Sequence, residues 1–298
     1  PFIGLVILFI VLAVLNNDFI NPANIKNLLR QVSINALIAF GMTFVILTGG
    51  IDLSVGSILA LSSAFMASAI TNGMNPEVAV LLSVVAGVGL GLVNGIIIAY
   101  GKVVPFIATL ATMTVYRGAT LVFTNGNPIS GLTTDAVFKA IGQGYLLDIP
   151  VPAIIMLFTF GILYLVLGKT PLGRQTYAVG GNEKVSFISG IKINRVKIFA
   201  YALSGCLCAL AGVILTSRLN SAQPTAGVGY ELDAIAAVVL GGTSMSGGKG
   251  SVSGTLIGAL IIATLNNGLN ILNVSSFYQQ VVKGIVILLA VLMDRKKS

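Results

Sequence analysis

The sequence predicts an all-α, polytopic membrane protein with about ten transmembrane helices and both termini in the cytoplasm. Hydrophobic residues make up 56% of the 298 residues and charged residues only 9%, whereas soluble domains carry about 25% charged residues. A soluble fold of this composition would lack the polar residues to cover its surface. The apolar residues also gather into runs close to the roughly 20 residues that a helix needs to cross the hydrocarbon layer.

Ten apolar segments are predicted to cross the membrane within one transmembrane domain that covers residues 1–298. The segment 232–245 is short and ends in Gly241-Gly242, so on length it is also consistent with a re-entrant element. Because the chain starts at Pro1 and not at Met, the first run is expected to be the end of a longer span. The segments lie near residues 1–15, 34–50, 54–70, 77–99, 105–123, 151–168, 198–216, 232–245, 252–272 and 277–293.

The positions of Lys and Arg predict which loops face the cytoplasm. The net charge is +8, and the loop 169–197 carries most of its charges as Lys and Arg, with Glu183 as its acid. Placing this loop inside also puts Lys102, Lys249 and the basic tail 295–297 inside, which agrees with the positive-inside rule. If 232–245 did not cross, the tail would lie outside, so this segment is counted as crossing. The charge is thus a topology signal, and no nucleic-acid partner is expected.

Two segments are predicted on the outer side. The stretch 124–150 is polar and is the longest outer piece. The stretch 16–31 contains Ile25, Leu28 and Leu29 at helical spacing, so it is expected to lie flat on the membrane interface.

Small residues recur every four positions in two predicted helices. Such stripes let helix backbones approach closely in lipid. Structural packing is the simpler interpretation, and a tight bundle around a path is the functional alternative. The stripes are Ser83, Gly87, Gly91 and Gly95 in one helix and Gly250, Gly254 and Gly258 in the other.

Two Gly-rich turns, 48–57 and 240–248, resemble each other and are both placed at the cytoplasmic end. Local turn chemistry accounts for the similarity, and an internal repeat is the alternative. The second turn also imitates a phosphate-binding P-loop. However, Gly248 stands where that motif needs Lys, and Gly250 follows Lys249 where it needs Ser or Thr. No cofactor is therefore expected on this chain, and any Mg-ATP must be bound by another subunit.

Polar residues inside the apolar segments are the candidates for a transport path. They are Asn94, Arg117, Asn266 and Asn270. Asn266, Asn270 and Asn273 share one helix face, where they could bind a polyhydroxylated cargo or bond a neighbouring helix. Arg117 is expected either to snorkel outward or to line the path.

Ionisable residues at the membrane midplane are scarce, which disfavours an ion-coupled carrier. Asp52 and Asp233 are placed near span ends, and Lys283, like Arg117, is a basic residue within a span. The chain has no His, and its residues form no plausible catalytic or metal-binding constellation. The sequence therefore predicts neither an enzyme nor a metal site.

The loop 169–197 contains a motif that suggests more than a topology signal. The motif predicts a short surface helix over residues 186–191, between two spans. It consists of the pair Gly180-Gly181 followed by Asn182, a residue that suits a helix cap. A force-transmitting contact is our interpretation, and an ordinary positively charged loop is the alternative.

Several of these motifs together resemble the permease subunit of bacterial ribose-type ABC importers. The resemblance covers essentially the whole chain. It is carried by Ile46-Leu47-Thr48-Gly49-Gly50-Ile51-Asp52-Leu53-Ser54-Val55-Gly56-Ser57, by Gly180-Gly181-Asn182-Glu183 and by the run from Ser221 to Thr243, which includes Ser221-Ala222-Gln223-Pro224-Thr225-Ala226-Gly227.

This resemblance implies a homodimeric permease of the bacterial inner membrane that imports a pentose, D-ribose above others, by alternating access. Its implied partners are a cytoplasmic ATPase subunit, a periplasmic sugar-binding protein, a second copy of itself and membrane lipid. It also implies a coupling helix in the region 180–191. Lys184-Val185 depart from the small residues usual there. The implied coupling residues are Gly180, Gly181, Asn182, Glu183, Lys184, Ser186, Ser189, Gly190 and Ile191.

Two rival functions remain open on the sequence. A stand-alone facilitator or ion-coupled sugar carrier would move sugar in liposomes without ATP or a second subunit. A structural or receptor protein would move none under any condition.

Overall fold

A computed structural model describes residues 1–132 and 135–295 as a bundle of α-helices with four two-residue strands. Ten of its helices coincide with the ten predicted apolar segments. They are α1 (Phe2–Leu15), α2 (Pro22–Leu47), α3 (Val55–Thr71), α4 (Pro76–Gly101), α5 (Pro105–Thr124), α7 (Val151–Lys169), α10 (Ile193–Leu219), α11 (Tyr230–Leu240), α12 (Val252–Ile271) and α13 (Ser276–Arg295).

Six of the described helices are long and apolar enough to cross a membrane, namely α2, α4, α5, α7, α10 and α12. The helices α1 and α3 are apolar but shorter. The chain is therefore a polytopic, all-α membrane protein. Of the predicted basic tail, Lys296 and Lys297 lie outside the described residues.

The prediction for the stretch 16–31 is wrong. A short 3-10 helix (Asn17–Ile20) is followed directly by α2, which begins at Pro22, twelve residues before the predicted span. The side chain of Asn21 accepts a hydrogen bond from the Ala23 amide, and the fixed φ of Pro22 suits the first helical position. Leu28 is buried in the protein core and does not face the interface. The predicted helical spacing is present, but the apolar face of this helix packs against the protein core and not against the membrane interface.

The centre of the bundle is formed by α2 and α10, on which α3, α4, α11 and α12 pack. The small-residue stripe of α4 faces α10: a Cβ added to Gly91 would lie 2.2 Å from the Tyr201 carbonyl oxygen, and one added to Gly95 would lie 2.8 Å from the Ile198 Cα. The stripe therefore sets the distance between the two helices, as the packing interpretation predicts.

The second stripe brings α12 against α11 in antiparallel orientation. A Cβ on Gly254 would lie 2.0 Å from the Gly241 carbonyl oxygen, and one on Gly258 would lie 1.9 Å from that of Ala237. The helix α11 itself has 11 residues and ends at Leu240, five residues before the predicted end. It covers only about 16 Å, because the Gly pair that follows ends the helix.

The two ends of the bundle differ in character. The loop end carries two short helices, α8 (Pro171–Gly181) and α9 (Glu183–Ile188). The hairpin end carries α6 (Ala136–Gln143), the β2–β3 hairpin (Tyr145–Leu146 and Ile149–Pro150), and β1 (Ile129–Ser130) paired with β4 (Ser221–Ala222).

The hairpin end contains regular secondary structure within the stretch 124–150, which the sequence analysis described only as polar. The Ser217 hydroxyl, near the end of α10, accepts a hydrogen bond from the Gly142 amide and donates one to the Phe138 carbonyl. The Arg30 guanidinium stacks on the Tyr145 ring, 4.6 Å from its centroid. These contacts fix α6 and the hairpin over the ends of α2 and α10.

Candidate coupling site and transport path

The loop 169–197 folds as two capped helices. The Thr170 hydroxyl accepts from the Gly173 amide at the start of α8, and the Asn182 side chain accepts from the Val185 amide at 3.0 Å. The predicted Asn cap is therefore present. The helix it caps runs from Glu183 to Ile188, three residues earlier than the predicted 186–191, because the cap acts on the residues that follow it directly. The preceding helix α8 was missed.

The helix α9 presents apolar side chains to the surroundings. Val185, Phe187 and Ile188 are 57, 72 and 84% exposed, while Ser186 is buried. Among the predicted coupling residues, Lys184 is exposed, the Ser189 hydroxyl bonds the Val185 carbonyl, and Gly190 ends the helix with φ of +80°. The sequence analysis did not identify these side chains as a possible contact surface. Three large apolar residues within a six-residue polar loop helix could have indicated it.

Three chain segments meet at a single point of close backbone contact at the loop end. We call this the glycine junction: Gly180 of α8, Leu47 at the end of α2, and Gly247-Gly248 in the turn before α12. The Gly248 amide donates to the Leu47 carbonyl at 3.0 Å. A Cβ on Gly180 would lie 1.7 Å from that same carbonyl oxygen and 2.6 Å from the Gly248 nitrogen. The loop thus contacts both Gly-rich turns, which do share one end of the bundle as predicted.

A polar cleft of about 350 Å³ opens beside the glycine junction. Glu183 and Lys197 form an ion pair at its edge, with 2.9 Å between nitrogen and oxygen. Its remaining lining residues are Thr48, Gly49, Gly50, Ile98, Pro105, Val179, Gly180, Gly181, Asn182, Tyr201 and Ser246. The cleft therefore joins the loop to the end of α2.

A tyrosine also joins α8 to the second turn. The Tyr177 hydroxyl donates to the Gly250 carbonyl at 2.8 Å. Burial raises the pKa of this phenol, because desolvation disfavours the charged form. The group therefore stays a neutral donor at physiological pH.

The four candidate path residues do not meet at one place. Asn94 is fully buried and donates to the Ser54 hydroxyl at 2.7 Å. Arg117 donates to the Pro224 carbonyl at 2.6 Å, so it contacts the segment before α11. Asn266 donates to Asp233 at 3.4 Å, and Asn270 accepts from the Gln279 side chain. Each side chain has a protein partner on another segment, and its role in transport stays a prediction.

Both acids lie near helix ends, as predicted, and both are buried within the protein. Asp52 is fully buried and Asp233 is 5% exposed. Asp233 forms an ion pair with Lys283, 3.0 Å between nitrogen and oxygen, which ties α11 to α13. The Lys283 ammonium is therefore held by a buried carboxylate.

Replacing Lys283 with methionine is expected to destabilise the protein by about 3–5 kcal/mol, because it leaves the Asp233 carboxylate buried and unpaired. The midpoint of thermal unfolding in detergent should fall by roughly 6–20 °C. Lys26→Met is the matched control. The side chains of Lys26 and Lys283 are equally exposed, at 30 and 29%, but the side chain of the Lys26 partner, Asp148, is 81% exposed while that of Asp233 is buried. The control should lose about 0–1 kcal/mol.

The ion-pair interpretation is checked by a second substitution. Asp233→Asn in the Lys283→Met background removes the unpaired charge, so most of the lost stability should return. Equal unfolding midpoints for Lys283→Met and Lys26→Met would contradict the interpretation.

A bundle of long apolar helices, interrupted by Gly-rich turns, defines a multi-pass membrane protein. Comparison with known proteins agrees. Residues 24–291 match the sequence model of the family described as branched-chain amino acid transport system / permease component. The chain belongs to this permease family, so it is a transport component and not an enzyme.

Similar proteins include ribose import permease proteins. The one from Bacillus subtilis is 67% identical over all 298 residues, which cover 100% of this chain and 92% of that protein. The one from Escherichia coli K12 is 53% identical and covers 99% of this chain and 93% of that protein. A D-allose transport system permease protein of Escherichia coli is 42% identical over 93% of this chain and 85% of that protein. No solved structure matches the chain.

Proposed function

We propose that this chain is the permease subunit of an ATP-driven importer that moves ribose across the bacterial inner membrane. The observation that carries the proposal is the 67% identity to a ribose import permease protein over the whole chain. The identity to the D-allose permease is lower, at 42%. Ribose is therefore the favoured sugar among the pentoses and related sugars that the composition allows.

In the proposed topology, all ten apolar helices cross the membrane and both termini are cytoplasmic. The loop end is then the cytoplasmic end, which agrees with the positive-inside rule. The helix α11 is too short to cross about 30 Å of hydrocarbon alone. It runs antiparallel to α12, however, and the chain around it passes from β4 at the hairpin end, through turns and α11, to Gly247-Gly248 at the loop end. This supports the odd–even count that brings the C-terminus back to the cytoplasm.

The proposed partner at the loop end is a cytoplasmic ATPase subunit that binds Mg-ATP. The exposed side chains of α9 offer it an apolar surface, and exposed apolar groups rimmed by polar ones mark protein contact sites. The glycine junction then passes a movement of α8 and α9 to α2 and α12. A periplasmic sugar-binding protein at the hairpin end and a second copy of the chain complete the proposed assembly.

Reconstitution tests the function directly. The chain is placed in liposomes with its ATPase subunit and with the sugar-binding protein loaded with ribose. Uptake should require ATP, the ATPase and the binding protein together. Ribose uptake by the chain alone, without ATP, would instead establish the stand-alone carrier.

Replacing Phe187 and Ile188 with serine is expected to weaken ATPase binding and to lower uptake by about tenfold or more. Burying an apolar side chain contributes about 1.5–3 kcal/mol, and both residues are largely exposed in the isolated chain. The measurement is co-purification of the ATPase together with ATP-dependent uptake. The matched control replaces Leu146 and Leu147 with serine as well. These residues are 59 and 91% exposed and lie at the opposite end of the bundle.

The control should retain the ATPase. Undiminished co-purification and uptake in the Phe187 and Ile188 double variant would place the ATPase contact elsewhere. Replacing 181–183 with a flexible linker tests the same contact at the Asn182 cap, and should leave the chain inserted but uncoupled.

A further inference from the structure

Asp52 is a fully buried carboxylate at the break between α2 and α3. None of the three ion pairs among the described residues includes it. An acid without a cationic partner is costly inside a membrane protein and is a functional candidate by default. The question is what this carboxylate does, because neither the apolar packing nor the glycine junction requires it.

The carboxylate is held by hydrogen bonds from two segments. One oxygen, Oδ1, accepts from the Ser54 amide at 3.0 Å and from the Ser54 hydroxyl at 2.6 Å. The other, Oδ2, accepts from the Ser204 hydroxyl of α10 at 2.9 Å. The Ser54 hydroxyl in turn accepts from Asn94 of α4. Asp52 therefore joins the break to the two helices that the small-residue stripe packs together.

The residue before it extends the same set of contacts. The Ile51 carbonyl accepts from the Tyr201 hydroxyl of α10 and from the Thr109 hydroxyl of α5, each at 3.2 Å. Tyr201 also lines the polar cleft, and a Cβ on Gly50 would lie 2.5 Å from its hydroxyl oxygen. The break is thus bonded to α4, α5 and α10 on one side and borders the cleft on the other.

We propose that Asp52 is a positioning residue that makes the end of α2 move together with α4 and α10 when the ATPase acts on the loop end. This inference rests on the proposed function. A push on α8 reaches the Leu47 carbonyl through Gly180, and Leu47 lies five residues before Asp52. With the carboxylate bonded to Ser204, displacement of α2 carries α10 along. Without it, the bond from the break to Ser204 is lost, and ATP hydrolysis is less tightly coupled to sugar movement.

The test compares the number of ATP molecules hydrolysed per ribose imported in liposomes that contain the complete importer. Asp52→Ala and Ser204→Ala should each raise this ratio, by about fivefold or more, the lower end of usual coupling effects. Asp52→Asn retains an amide that can bond both serines, so its ratio should rise less than that of Asp52→Ala. The double variant should be no worse than Asp52→Ala alone, because both changes break one link.

Ser62→Ala is the matched control. Ser62 and Ser204 are both fully buried helix serines, but the Ser62 hydroxyl bonds only carbonyls of its own helix. Its ratio should stay at the wild-type value. Because Ser204→Ala is a mild change, the test holds even where Asp52→Ala fails to insert.

Two failures are distinguishable. If the wild-type importer shows no ATP-driven uptake, the proposed function fails and this inference fails with it. If the wild type transports but Ser204→Ala and Asp52→Asn match Ser62→Ala, the positioning role alone is overturned. A ratio that changes with pH in the wild type but not in Asp52→Asn would also overturn it, since Asp52 would then act by carrying a proton.

Discussion

Gly180→Ala is expected to lower ATP-coupled uptake by about tenfold or more while leaving the chain in the membrane. The added Cβ would lie 1.7 Å from the Leu47 carbonyl oxygen and 2.6 Å from the Gly248 nitrogen. Both are backbone atoms, so the junction must open and the bond from the Gly248 amide to Leu47 must lengthen or break. Such overpacking costs about 1–3 kcal/mol, and a loss of 1.4 kcal/mol already corresponds to a factor of ten in an equilibrium. Ribose uptake and ATPase activity, measured per inserted protein, report the effect.

The adjacent residue supplies the control. Gly181 lies in the same helix, and a Cβ there meets no atom of the described residues within 4 Å. Gly181→Ala leaves the glycine junction closed, so it should keep clearly more uptake than Gly180→Ala even though Gly181 is a predicted coupling residue, and it should slightly favour the helix because Ala loses less backbone entropy than Gly. If the two variants were equally active, the glycine junction would not carry the movement of the loop.

Gly91→Ala is expected to produce the second large effect, here on stability. Its Cβ would lie 2.2 Å from the Tyr201 carbonyl oxygen, so α4 and α10 must separate. At about 1–3 kcal/mol for overpacking, the midpoint of thermal unfolding should fall by roughly 2–12 °C. Heating in detergent followed by size-exclusion chromatography measures the fraction that stays folded.

Gly89→Ala is the control on the same helix. Gly89 faces away from α10, and its added Cβ meets nothing within 4 Å among the described residues. The variant should be as stable as the wild type or slightly more stable. A similar loss in both variants would mean that helix flexibility matters more than the contact with α10.

The apolar segments can be recognised in the sequence because the surrounding solvent is a lipid bilayer. The part of a helix that crosses the hydrocarbon must be mostly apolar, so composition and run length reveal the apolar segments without any knowledge of packing. The stripe that contains Gly91 was likewise readable, because close approach in lipid needs small residues at helical spacing. The cap at Asn182 was local and therefore visible, even though the helix after it begins earlier than expected.

The errors have a physical reason as well. The stretch 16–31 has an amphipathic pattern that fits either an interface or a protein core, and only the packing of Leu28 against the core decides between them. The length of the helix in the segment 232–245 could not be predicted. The helix ends at Leu240, because Gly241 and Gly242 follow it and Gly241 packs against Gly254 of α12. Asp52 and Asp233 lie near helix ends as the sequence predicts, but their burial depends on contacts with other segments and could not be predicted from position along the chain.

The sequence by itself determined the class of protein, the order of its helices and the small residues that pack them, since each depends on composition or on neighbours along the chain. The tertiary structure alone decided which backbones touch. It brought Gly180 onto Leu47 and Gly248, and it placed Asp52 against Ser204. These contacts join residues tens to more than a hundred positions apart, so no local spacing predicts them. They depend on how the helices pack in three dimensions, because glycine lacks a side chain and lets two backbones come into contact.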